Sequence, residues 1–113
     1  MSCNCGQTHA PISGNGRPAP SKGQIALSGQ LICANGEELL TVLEHLPAHI
    51  AASRAELGCL YFDIVQTEDP LIWQVEELFA DLDAVKAHKT RITESTWAEK
   101  TAGIARDIHR IDG

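Results

Sequence analysis

With 113 residues, 43% of them apolar and 21% charged, the chain has room for one ordinary folded domain. Its formal charge of −6, from 9 basic and 15 acidic residues, argues against a nucleic-acid binder, because the positive charges are scattered and form no basic face. No apolar run approaches the length of a membrane span, and the start Met1-Ser2-Cys3-Asn4-Cys5-Gly6 has neither the basic residues nor the apolar stretch of a secretory signal. The expected compartment is therefore the reducing cytoplasm, in which Cys3, Cys5, Cys33 and Cys59 are free thiols.

Residues 1–23 contain Pro11, Pro18 and Pro20 together with Gly6, Gly14, Gly16 and Gly23, and little that can be buried. They read as a flexible N-terminal arm ahead of a domain over residues 24–113. In the next segment Ile25, Leu27, Leu31 and Cys33 keep period two, which predicts a strand with one apolar face over residues 25–34. Asn35, followed three residues later by Glu38, has the pattern of a capping box. Leu39, Leu43, Leu46 and Ile50 then predict one buried helical stripe, with Pro47 interrupting and bending the helix before it ends near Glu56. Residues 59–65 and 71–79 are rich in strand formers and are joined by the turn Thr67-Glu68-Asp69-Pro70, which predicts an antiparallel hairpin. Asp81 can cap a second helix with Leu82, Val85, His88 and Ile92 on one side. A further helical stretch passes through Trp97 to Thr101, and residues 104–111 read as a last strand. The order β-α-β-β-α-β is that of ferredoxin-like α+β domains, with an antiparallel sheet and helices on one face. The other face still carries apolar side chains and needs a cover, so a second copy of the chain is the expected partner.

Three passages stand out: Glu56-Leu57-Gly58-Cys59-Leu60-Tyr61-Phe62 at the entry into the second strand, Asp69-Pro70 followed by Glu77-Leu78-Phe79-Ala80-Asp81 in the hairpin, and Ala84-Val85-Lys86-Ala87-His88 in the second helix. In that order and spacing they resemble the antibiotic biosynthesis monooxygenase family. The resemblance extends over residues 25–111. It implies a dimeric α+β barrel with one pocket per subunit between sheet and helices, and a family of several chemistries: oxygenases that use neither metal nor flavin, quinol monooxygenases, haem-degrading enzymes and isomerase-like proteins. Fold is fixed by such membership more firmly than reaction. Leu57 stands where many members carry Pro, and the segment after His88 has no second His. The first strand has no Asn, which speaks against haem degradation.

His88 is the leading candidate for chemistry, since an imidazole can take a proton near neutral pH. Oxygenation without a cofactor needs such a base, because molecular oxygen reacts poorly with a neutral phenol and far better with its electron-rich anion. The alternative is a packed His bonded to the backbone. Glu77 shares a strand face with Trp73, Val75 and Phe79 and can orient the His or have a raised pKa; a rim carboxylate paired with Lys or Arg is the more ordinary reading of such a position. Phe62, Trp73 and Trp97, with Leu27 and Leu31, are the expected pocket walls, although each aromatic alone is also ordinary core material. Tyr61 should point away from Phe62, toward a partner subunit. His45 and His49 have the i, i+4 spacing of a helical metal pair, but they fall off the leucine stripe and read as a solvated face. Cys3, Cys5 and His9 are weak metal candidates whose Cys-x-Cys spacing is tighter than that of structural zinc sites. Cys33 and Cys59 read as inert packing. The expected function is a homodimeric monooxygenase of a small aromatic or quinol-like molecule, with molecular oxygen as co-substrate and no other cofactor. The alternatives are a non-oxidative isomerase of a small signalling metabolite and a non-catalytic module that binds a small molecule or metal.

Overall fold

The computed structural model describes residues 12–13 and 16–113. Its elements in chain order are β1 (Ile12–Ser13), β2 (Arg17–Pro18), β3 (Ile25–Ile32), α1 (Gly36–Arg54), β4 (Cys59–Gln66), β5 (Ile72–Phe79), α2 (Leu82–Thr93), α3 (Thr96–Lys100) and β6 (Ala105–Asp112). The long strands form a four-stranded sheet in the order β4-β5-β3-β6, antiparallel throughout. This is the expected ferredoxin-like α+β topology.

Register assigns the side chains to two faces. Leu31 lies opposite Trp73, Gly29 opposite Val75, Leu27 opposite Glu77 and Ile25 opposite Phe79. On these rows β4 contributes Ile64 and Phe62, and β6 contributes Arg106, Ile108 and Arg110. The helices cover this face, and Leu31, Val42, Leu46, Phe62, Trp73, Val75, Trp97 and Ile104 form the main core cluster there. Gly29 occupies the centre of that face without a side chain. A Cβ there would stand 2.0 Å from the Asp107 carbonyl oxygen, so the backbone of β6 can lie where it does only because position 29 is Gly.

The other face carries apolar side chains, as expected, but mixed with polar ones: Ser28, Gln30, Gln74 and Glu76 share it with Ala26, Ile32, Ile72 and Leu78. The described end of the segment read as an arm, residues 16–23, lies against the sheet: β2 contacts β5. Arg17 is 2% exposed and its Nε donates to Glu76 Oε1 at 2.9 Å. Composition hides this anchor, since a single arginine in a Pro- and Gly-rich stretch does not look like core. Tyr61 lies on this face, opposite Leu78, after a bulge between Cys59 and Tyr61. Cys3, Cys5 and His9 lie outside the described residues.

Capping follows sequence. Asn35 Oδ1 accepts from the Glu38 amide, Glu38 Oε1 accepts from the Ala34 amide, and Asp81 Oδ1 accepts from the Ala84 amide. The stripe on α1 is rotated from the expected one. Val42, Leu46, His49 and Ser53 are buried, whereas Leu43 is exposed and Pro47 sits on the water side of a helix that runs through it without a break. His49 is therefore not on a solvated face. Hydrophobicity ranks Leu43 above His49, but the helix turns His49 inward, where its ring lies flat against Trp97.

Candidate active site

The site is assembled where the C-terminal end of α1, the middle of α2 and the second half of β5 meet. His88 enters from α2 and is 2% exposed, ringed by Phe79 and Phe62 with centroids 4.9 and 5.5 Å away. Its Nδ1 lies 2.8 and 2.9 Å from the two carboxyl oxygens of Glu56, just beyond the end of α1. Glu56 is held in turn by Arg91 Nε, while Arg91 Nη2 donates to Ser53 Oγ at 2.9 Å. One turn of α2 separates His88 from Arg91, so both reach the same carboxylate from one helix face.

This pairing fixes the imidazole. A carboxylate can only accept, so Nδ1 carries the hydrogen and Nε2 presents its lone pair. Burial lowers the His88 pKa, and Arg91 and Lys89 lower it further against the opposing pull of Glu56. Nε2 has no hydrogen-bond partner among the described residues. Glu77 Oε1 stands 3.6 Å from it, also buried and without a partner among the described residues.

Glu77 is 7% exposed and pairs with neither Lys nor Arg, so it is not the rim carboxylate expected from its strand position. β5 is a central strand under the helix layer, and water cannot solvate an anion there. Burial, reinforced by Glu56, raises its pKa to about 8. At neutral pH it carries a proton, facing an imidazole that lacks one on the facing nitrogen. Two unpaired buried polar atoms that close constitute an acid–base pair that needs only a small approach to exchange a proton.

Two hollows adjoin this pair and share Glu77, Ile92 and Ile108 in their walls. The outer one, about 330 Å³, is also lined by Leu27, His88, Lys89 and Arg110. The inner one, about 100 Å³, is walled by Leu31, Ile64, Val75, Trp97 and the polar side chains of His49 and Arg106. His49 stacks flat on Trp97 with centroids 4.4 Å apart and planes 5° from parallel. Burial holds its pKa down to about 3, so this second imidazole is neutral, and its Nδ1 has no partner among the described residues.

Of the expected wall residues, Leu27, Leu31 and Trp97 line these hollows. Phe62 touches the His88 and His49 rings from behind and borders a separate hollow beside Arg54 and Tyr61. Trp73 is in the core, its Nε1 buried and without a partner among the described residues. Sequence reading assigned no role to Glu56, Arg91, His49 or Arg106. Glu56 stood within a matched passage, and Arg91 three residues after His88 is the one local signal that could have led to it. Cys33 and Cys59 are free, and burial raises both thiol pKa values, Cys59 to about 11, which leaves them unreactive. Among the described residues no group of three or more His, Cys, Asp or Glu is placed to hold a metal, and no helix is long and apolar enough to cross a membrane.

Comparison with known proteins agrees with this architecture. A structure from Nitrosomonas europaea, described as a candidate antibiotic biosynthesis monooxygenase, superposes with a TM-score of 0.71 at 21% identity, covering 82% of this chain and 92% of that one. One from Bacteroides thetaiotaomicron with the same description gives 0.67 at 24% identity, covering 80% and 88%. One from Caulobacter crescentus gives 0.58 at 25% identity, covering 81% and 91%. No curated protein matches the sequence. The profile of the family described as antibiotic biosynthesis monooxygenase matches residues 33–99, a span that includes Glu56, Glu77, His88 and Arg91, and the chain belongs to that family.

Proposed function

We propose that this chain is a cofactor-independent monooxygenase of a small aromatic or quinol-like substrate, with Glu77 and His88 moving the proton that makes the substrate reactive toward oxygen. The observation that carries this reading is the contact between Glu77 Oε1 and His88 Nε2, both buried and unpaired, at the wall of a hollow. Glu77 is the member that lines both hollows. It takes a hydroxyl proton from the substrate on one oxygen and passes its own proton from the other to His88 Nε2. The resulting imidazolium is stabilised by Glu56, which Arg91 keeps in place.

The balance closes without an added reductant. A hydroquinone and one oxygen molecule give a hydroxyquinone and one water. The anion gives its electrons to oxygen, a C–O bond forms, and the O–O bond then breaks. One oxygen atom stays on the ring and the other leaves as water, protonated by the same relay. General acid–base help of this kind contributes roughly 10²–10⁴-fold. Oxygen uptake with reduced quinols, compared between wild type and His88→Ala, is the direct test. Equal rates remove the pair from the mechanism. The same relay also serves a non-oxidative isomerisation, since it can return a proton as readily as take one; turnover that persists without oxygen would select that reading.

A homodimer is part of the proposal. All eight residues of β6 are exposed in the single chain, with Ile108 and Ile111 each 37% exposed, and an uncovered strand of this kind invites a second copy. Light scattering on the eluting protein decides it: a mass near 12.2 kDa would refute the dimer.

A further inference from the structure

The chain has five arginines, and four are paired with carboxylates: Arg17 with Glu76, Arg54 with Asp63, Arg91 with Glu56 and Arg110 with Asp112. Arg106 is the exception, in a protein whose acidic residues outnumber its basic ones. Its Nη2 donates to the Thr101 carbonyl oxygen at 2.9 Å and to Thr101 Oγ1 at 3.1 Å. Nε and Nη1 have no partner among the described residues. Thr101 is itself fully buried and donates its hydroxyl to the Trp97 carbonyl oxygen at 2.7 Å, so the guanidinium rests on a fixed support.

Arg106 also supplies the one charge of the inner hollow. His49 is neutral at physiological pH because burial lowers its pKa to about 3, and Glu77 is neutral because burial raises its pKa to about 8. Burial lowers the pKa of Arg106, but a guanidinium remains protonated. The other walls are apolar and include the flat face of Trp97. Along β3 the Arg106 row meets Leu31 and the Glu77 row meets Leu27, four residues and roughly 13 Å apart before side-chain reach is subtracted. That span suits one aromatic ring with a polar group at each end.

We propose that Arg106 is a specificity-determining residue that binds a carboxylate on the substrate, so that the pocket takes monocyclic hydroxyaryl carboxylates with the acid at Arg106 and the hydroxyl at Glu77. A guanidinium with free N–H groups and no competing acid, held beside an apolar slot, matches an anionic head and disfavours a neutral one. This deepens the reading of the hollow as a substrate site and rests on it, but it concerns recognition, so it can be tested by binding alone.

The test is calorimetric titration with 4-hydroxybenzoate and its neutral near-isostere 4-hydroxybenzamide under anaerobic conditions. Wild type should bind the carboxylate about tenfold or more tightly than the amide, as expected for a charge-assisted hydrogen bond. Arg106→Gln should abolish that ratio while leaving amide binding in place, and Arg106→Lys should keep part of it. Thermal unfolding of each variant confirms that it is folded. Equal binding of the two probes by wild type, no measurable binding of either, or an unchanged ratio in Arg106→Gln overturns the proposal. A ratio that depends on Arg106, in a protein that consumes no oxygen, would overturn the oxygenase reading and leave this one standing.

Discussion

Glu76 and Glu77 follow one another on β5 and point to opposite faces of the sheet, where they are 1% and 7% exposed. On the outer face Glu76 receives Arg17 Nε at 2.9 Å, Ser28 Oγ at 2.9 Å and Gln74 Nε2 at 2.7 Å. On the helix face Glu77 Oε1 receives nothing from the described residues and stands 3.6 Å from an imidazole nitrogen equally without a partner among them. The two have the same chemistry and similar burial, so the difference lies in the company each keeps. Where donors saturate a buried acid it acts as a structural tie. Where they are withheld the acid stays protonated and available, and the cost of burying it is tolerated for the sake of what it can exchange.

The contrast can be broken most forcefully on the outer face. Glu76→Ala leaves the buried Arg17 charge without its acid and should lower stability by about 3–5 kcal/mol in urea unfolding. Glu77→Gln at pH 6 should change it little, because it replaces one neutral group by another of the same shape. If the two variants lose equal stability, the distinction fails. On the helix face, Glu56→Gln should reduce turnover by ~10²-fold or more while the protein stays folded, since an amide can donate to Nδ1 and no longer enforces the tautomer that offers Nε2. Oxygen-uptake kinetics at several pH values would show it.

Stability against pH gives a third handle. The folded-state pKa of Glu77 is raised from 4.5 to about 8, so its protonated form favours the fold. That contribution is fully present below about pH 4.5 and is lost as pH rises through about 8, at up to roughly 1.4 kcal/mol per pH unit. His49 acts in the opposite sense: its pKa is lowered from 6.5 to about 3, so its contribution is present above about pH 6.5 and is lost as pH falls toward 3. Between about pH 6.5 and 8 the Glu77 slope therefore stands clear of His49, and Glu77→Gln should flatten denaturation midpoints over that window. The smallest effect belongs to Asp81→Ala, which removes the cap of α2 and should cost about 1 kcal/mol in thermal unfolding. A much larger activity loss in that variant would mean that His88 depends on helix placement more than on its carboxylate partners.

The strand and helix order was legible in the sequence because Ile25, Leu27 and Leu31, the run from Trp73 to Phe79, and the caps Asn35 and Asp81 each state their local preference plainly. His88 and Glu77 were singled out by resemblance and by strand alternation, and the structure brings them together. The remaining parts of the site were hidden for a common reason. Glu56, Arg91, His49, Arg106 and Arg17 are polar residues that look solvated in one dimension. Their placement depends on contacts with chain up to 59 residues away, as between Arg17 and Glu76, which no local periodicity encodes. The leucine stripe of α1 misled for the same reason: the helix turns Val42, Leu46, His49 and Ser53 inward and leaves Leu43 to water.

The bare position at Gly29 has a wider consequence. By admitting the edge strand so closely, it makes one outermost ribbon, through alternate side chains at 106, 108 and 110, a shared boundary of both hollows, while the proposed proton exchange belongs to α2 and β5. In the proposed mechanism selectivity and reactivity are thereby carried on separable pieces of the chain. Exchanging three residues on the rim can retune what is admitted without disturbing the machinery beneath, which is a simple route by which one scaffold can diversify its ligands.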